Sequence, residues 1–278
     1  KTAYEIVSRD WSSDVCSSDL PRTAPTRVKL GLMGALPEEL GQVIARSHGV
    51  PDRSGGREFW PGQWNGHDFV AVLSRIGKVA AASTAALLIQ RHRVDAIVFT
   101  GVAGGLAQGV RVADAVVATE FLQHDMDASP LFPRHVVPLD NLSRYPTDPD
   151  WTRRLHQAAT RAMQQMMTQW PQGWNGIDLK HSRVHQGLIL SGDRFVSTHS
   201  ESEALRTEHP DALAVEMEGA AVAQVCRDHA IPFAAVRLIS DRADDTAHPD
   251  FLRLVTDLAA PYSAHLIENL IGVRPQLC

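Results

Sequence analysis

The stretch Leu213–Asp241 constrains the fold most. An apolar strand runs into Glu216-Met217-Glu218, a helix of small residues follows through about Asp228, and a second buried-type strand, Phe233 to Ile239, ends in Ser240-Asp241. A strand–helix–strand unit of this length predicts two parallel strands joined by a right-handed crossover. Both acidic clusters then stand at carboxyl ends of strands, where open α/β sheets bind ligands. Each acid also has an ordinary reading: Glu218 as a carboxylate favoured at a helix N-terminus, and Asp241 as an N-cap or turn residue. Two such clusters on neighbouring strand ends point instead to one site.

The same pattern recurs along the chain. Val28 to Gly34 is a buried-type strand, and Ala35 to Ile44 reads as a helix with Pro37, Glu38 and Glu39 in its first turn, where proline and acids are favourable. Glu58 to Ser74 reads as a hairpin turning at Asn65-Gly66. Ile76 to Gln90 is a small-residue helix, and Lys78 in its first turn opposes the helix dipole and so calls for another partner. The strand from Val94 runs into Gly101-Val-Ala-Gly-Gly-Leu106, which is neither a dinucleotide fingerprint nor a P-loop. On its own that segment reads as a tight turn needing positive φ. Val112 to Gln123 and Val184 to Ser191 are further strands, and Asp148 to Met167 and Phe251 to Ile271 are amphipathic helices. Met163, Met166 and Met167 read as core filler rather than a cofactor box. Alternating strands and helices without a convincing linker after Pro25 predict one α/β domain, three layers deep, with a twisted mixed sheet between helices.

Composition removes several function classes. A net charge of −5 gives no reason to expect nucleic-acid binding. No apolar run approaches the ~20 residues of a membrane span. Three scattered cysteines suit neither a disulfide framework nor a zinc site, and a reducing cytoplasm fits them. His124, Asp125 and Asp127 lack a supporting pair at ligand spacing, so no metal is expected. Residues 1–26 stand apart: they show no period, and Trp11 to Leu20 resembles translated adapter read-through. The domain is therefore expected to span 27–278.

Seven segments in order resemble the methylthioadenosine/S-adenosylhomocysteine nucleosidase family, within the nucleoside phosphorylase superfamily. They are Leu30 to Glu39, Ser74 to Ala82, Thr100 to Leu106, His124 to Asp127, Ser191 to Phe195, Val215 to Gly219 and Ile239 to Asp241. The resemblance implies hydrolysis of an N-glycosidic bond, with no cofactor, in a homodimer whose partner loop, near Leu131 and Phe132, covers the substrate. It implies that Asp241 is the general acid toward the adenine ring, held by Ser240 and with an ionisation raised by burial, and that Glu39 activates the water. Glu218 would accept the ribose hydroxyls, Met217 would pack on the ribose, Phe195 would stack on adenine and the main chain of Val196 would read its edge. Ala35, Val102, Gly104 and Glu216 complete the implied contacts. Two departures stand out: Val102 where the family commonly has Ser, and a long segment from Pro138 to Lys180. Acids at 38 and 39 oppose a phosphate site, so hydrolysis is expected over phosphorolysis. Futalosine or nucleotide hydrolysis, a phosphate-dependent nucleoside phosphorylase and a non-catalytic binding module remain the rivals.

Overall fold

The computed structural model describes residues 28–47, 49–243 and 254–272. The tail assigned to 1–26 and the start of the last predicted helix lie outside these residues. Ten strands among the described residues form one mixed sheet. Parallel β1 (Lys29–Gly34), β4 (His67–Leu73) and β5 (Ala96–Gly105) make its spine, with β1 between the other two. The predicted hairpin is β3 (Arg57–Trp64) with β4, turning at Asn65 (φ 49°) and Gly66 (φ 82°), and β3 carries the short outer strand β2 (Asp52–Ser54). On the other side the sheet closes. β10 (Phe233–Asp241) pairs with both β5 and β6 (Ala115–Gln123), and β8 (Val184–Ser191) and β9 (Ala212–Glu216) complete the path from β6 back to β5. β7 (Arg144–Pro146) hangs on β6.

The period of two along each spine strand builds the layers. In β1, Leu30 and Leu32 face one apolar cluster, while Met33 faces another. In β5, Ala96 and Val98 part in the same way from Ile97 and Phe99, and in β10 so do Val236 and Leu238 from Ala235 and Ile239. The first cluster is covered by α1 (Pro37–Ile44), α3 (Pro149–Gln169) and α6 (Ala260–Gly272). The second is covered by α2 (Lys78–Gln90) packed on α5 (Gly219–Asp228). A third, smaller cluster brings Leu122 and Leu190 together with Leu205 of α4 (His199–Glu208). The long segment after Pro138 supplies β7 and α3, whose N-cap Asp148 accepts from the amides of Asp150 and Trp151.

Two expectations fail. The strands flanking α5 are not parallel: β10 runs with β5 and β9 runs against it. β9 takes its direction from parallel β8, and meets β5 only through Gly104↔Val215 and Gly105↔Ala214. Closure of the sheet therefore overrides the usual crossover. The acids still converge, because Asp241 of β10 also registers with Gly104. The second failure is the glycine segment. It is strand as far as Gly105, and neither Gly101, Gly104 nor Gly105 has a positive φ. These glycines supply space: a Cβ at Gly101 would stand 3.0 Å from Oε1 of Glu39, and one at Gly104 would stand 3.0 Å from Oδ1 of Asp241.

Candidate active site

One pocket opens where the carboxyl ends of β1, β5, β9 and β10 meet, and every residue that the sequence assigns to the site lines it: Ala35, Glu39, Val102, Gly104, Phe195, Val196, Glu216, Met217, Glu218, Ser240 and Asp241. It also includes Leu36, Ile76 and Arg194, which sequence reasoning left out although each stands inside or beside a matched segment. Glu38, by contrast, does not line it, so the first-strand acid pair contributes one carboxylate rather than two.

Glu39 comes from the first turn of α1. Its Oε2 accepts the amides of Ala35 (2.6 Å) and Leu36 (2.9 Å), and its Oε1 accepts that of Val102 (3.2 Å). At N3 of the helix, a glutamate reaching back to the N-cap amide is half of a capping box, and so the side chain is fixed by backbone alone. Burial nevertheless pushes its ionisation up, against those amides and the nearby Arg237 charge.

Glu218 is the N-cap of α5 but makes no capping hydrogen bond. Its Oε1 instead accepts the amide of Gly77, at 2.7 Å, at the start of α2. Burial raises its ionisation first, and the neighbouring carboxylate of Glu216 raises it further. The dipole-cap reading of Glu218 therefore gives way to one in which α2 and α5 are stitched together by a carboxylate at the pocket wall.

Glu216 does cap the helix: both its oxygens take the amide of Gly219, at 3.0 and 2.9 Å, and Ser191 donates to Oε1. Arg237 of β10 closes on Oε2 at 2.7 Å, with both side chains almost wholly buried. The Glu216 carboxylate is thus saturated by protein, and what this residue offers a ligand is main chain. Arg237 also donates to the carbonyls of Phe99 and Val236 and stacks 4.2 Å from the ring of Phe99.

Asp241 stands just beyond a bulge, where the register with β5 slips between Ile239 and Asp241. Bulges re-aim side chains and are common beside active sites. Ser240 donates to Oδ2 at 2.6 Å and Ala243 donates its amide to Oδ1 at 2.7 Å, so Asp241 is both turn residue and pocket carboxyl. Phe195 is half exposed at the mouth, and Val196 is buried behind it.

Lys78 finds the partner that its helix position called for. It meets Asp125 at 2.6 Å, while Asp193 accepts its amide and donates its own to Asp125. Asp127 is turned to Ser129 and Arg134. The His124–Asp127 segment thereby serves to hold loops together around the pocket. The only cationic side chain among the described residues lining the pocket is Arg194, which pairs with Glu201.

Glu39, Glu218 and Asp241 present three carboxyls to one pocket whose lining cation, Arg194, is paired with Glu201, so the charge these carboxyls can add is negative. Such a field disfavours an anion and favours a developing cation. Comparisons with known proteins show what the chain is similar to. The sequence model of the Phosphorylase superfamily matches residues 29–272. The 5'-methylthioadenosine/S-adenosylhomocysteine nucleosidase of Geobacillus sp. (strain WCH70) is 32% identical over 249 residues, covering 88% of this chain and 98% of its own. The solved structure of the corresponding Neisseria meningitidis enzyme, in complex with methylthio-immucillin-A, superposes with a TM-score of 0.76 at 31% identity, over 88% of this chain and 100% of its own. The futalosine hydrolase of Helicobacter pylori superposes with a TM-score of 0.75 at 28% identity, over 88% and 97%.

Proposed function

The chain belongs to the methylthioadenosine/S-adenosylhomocysteine nucleosidase family of the Phosphorylase superfamily, and on that premise we propose that it hydrolyses the N-glycosidic bond of methylthioadenosine, S-adenosylhomocysteine or both. The observation that carries this is the convergence of Glu39, Glu218 and Asp241 on one pocket. Asp241 donates its proton to a ring nitrogen of adenine as the bond to the ribose breaks. Glu39 takes a proton from water as the water oxygen bonds to the anomeric carbon. The products are adenine and the thioribose. Glu218 accepts the ribose hydroxyls, and its charge faces the sugar cation. Met217 packs on the ribose, Phe195 stacks on adenine and the main chain of Val196 meets the base edge.

Purified protein incubated with methylthioadenosine, S-adenosylhomocysteine, adenosine, inosine, futalosine and AMP, with and without phosphate, tests this. Release of adenine and free sugar, independent of phosphate, is expected; strict dependence on phosphate would overturn it. Futalosine is the second substrate reading, favoured by the near-equal superposition on a futalosine hydrolase.

Burial and mutual repulsion raise the ionisation of Glu218 and burial raises that of Glu39, and both act as carboxylates. Each works only above its own raised ionisation, so activity falls as pH drops through it. The acid limb of kcat/KM, which reports the free enzyme, is therefore expected above the ordinary carboxylate range near pH 4.3. Glu218→Gln should move that limb downward while harming kcat and KM together, since Glu218 touches substrate and transition state alike. An acid limb at the ordinary carboxylate position would contradict these roles.

The assembly is proposed as a homodimer. Leu131 is 85% exposed in the loop after β6, and Ile76 and Phe195 are 56% and 46% exposed at the pocket mouth, an apolar rim suited to a cover. An obligate interface buries more than ~2,000 Å². Light scattering after gel filtration should give twice the chain mass; a fully active monomer at micromolar concentration would exclude the dimer.

A further inference from the structure

We propose that His135, Glu208 and His209 form a site for a divalent first-row transition ion of the zinc type, separate from the nucleoside pocket. His135 follows the loop after β6, and Glu208 and His209 end α4, so the chain brings them together from 73 residues apart. One ligand atom from each lies within 4.8 Å of the others. Both rings are nine-tenths buried, at 9% and 6% exposure, and they meet edge to face with centroids 4.9 Å apart.

The protein alone leaves this cluster unsatisfied. His135 Nε2 and an Arg134 nitrogen both meet the same oxygen of Glu208, at 2.9 and 2.7 Å. Nδ1 of His135 and Nε2 of His209 are buried with no hydrogen-bond partner among the described residues. A buried ring nitrogen without a partner costs desolvation and returns nothing. If the cluster were only an ion pair, His209 would be free to be apolar. A metal ion uses the lone pairs that the protein does not.

The chemistry also suits the ion. Two imidazoles and a carboxylate are the donors zinc accepts in sites that keep a position open. His124 adds a third ring in electrostatic reach of His209, and its Nε2 is likewise buried and unpaired. Arg134 crowds Glu208, but its side chain is 54% exposed and can swing away. The metal expected to be absent on the strength of His124, Asp125 and Asp127 thus has a different donor set, one that sequence spacing does not display.

The test uses the full chain stripped with a chelator and titrated with zinc by calorimetry, with cobalt absorption as a second readout. One equivalent should bind, with visible cobalt bands of a low-coordinate site. His209→Gln and His135→Gln should each weaken zinc binding at least tenfold, whereas His265→Gln, half-buried on α6 beside Gln169, should not; circular dichroism confirms folding, and either site variant suffices if the other misfolds. Absence of a saturable equivalent, or unchanged affinity in the folded site variants, would overturn the proposal.

Discussion

Asp241→Asn should lower kcat by ~10²–10⁴-fold while leaving substrate binding within a few fold, the loss typical of removing a general acid or base. The substitution keeps the shape of the side chain. The asparagine oxygen can keep accepting the amide of Ala243 while its amide nitrogen donates to the hydroxyl of Ser240, so the turn after the bulge has no reason to unravel. What is lost is the proton for the leaving base, and an adenine anion leaves poorly without it. Glu39→Gln should give a fall of the same order for the complementary reason. Its amide oxygen can still accept from Ala35, Leu36 or Val102, but it cannot take a proton from water. The two losses should not add fully in the double variant if protonation of the base and attack of water belong to one transition state. Steady-state kinetics with methylthioadenosine beside circular dichroism decides this. If Asp241→Asn turns over within tenfold of the parent chain, the assigned acid is wrong.

The position of these acids at strand ends was legible because it depends on local pattern: apolar runs that stop at Glu216 and Asp241, and a Pro-Glu-Glu helix start after the first strand. The Asn65-Gly66 hairpin and the bounds of α5 were legible for the same reason. What could not be read is whatever the closed sheet decides. A two-residue contact between β9 and β5 reverses the expected parallel pair, and no local pattern encodes it. The glycines of β5 look like a turn from composition, whereas the carboxylates of Glu39 and Asp241 lie against them only after the strands are assembled. Glu216 and Glu218 are equivalent in the sequence, two residues apart. The β9-to-α5 turn sends one to a buried arginine and the other to the amide of Gly77. Arg237, a charge in the middle of an otherwise apolar strand, is a sequence signal of a buried partner that the sequence reading passed over.

That arginine carries the largest expected effect on stability. Arg237→Met should cost ~3–5 kcal/mol, the range for removing one partner of a buried ion pair. The residue is 1% exposed, and methionine replaces its stem against Phe99 but not its charge. Glu216 would then lie buried beside Glu218 with no cation, and only Gly219 and Ser191 as its donors. Arg237 also eases the ionisation of Glu39 and Glu218, so its removal pushes both of those carboxyls further up. The sign with pH follows. Groups whose folded ionisation is raised above the unfolded value bind more protons when folded, so stability falls as pH rises between the two values. The deficit of Arg237→Met should therefore be smallest at acid pH, near the unfolded carboxylate value of ~4.3, and should grow toward neutrality. Adding Glu216→Gln should restore much of the loss, because replacing both partners removes the stranded charge. Denaturant unfolding of the single and double variants across pH measures all three expectations. A single variant within 1 kcal/mol of the parent chain at neutral pH would mean that water reaches Glu216, and that the three carboxylates at the pocket do not depend on a buried cation.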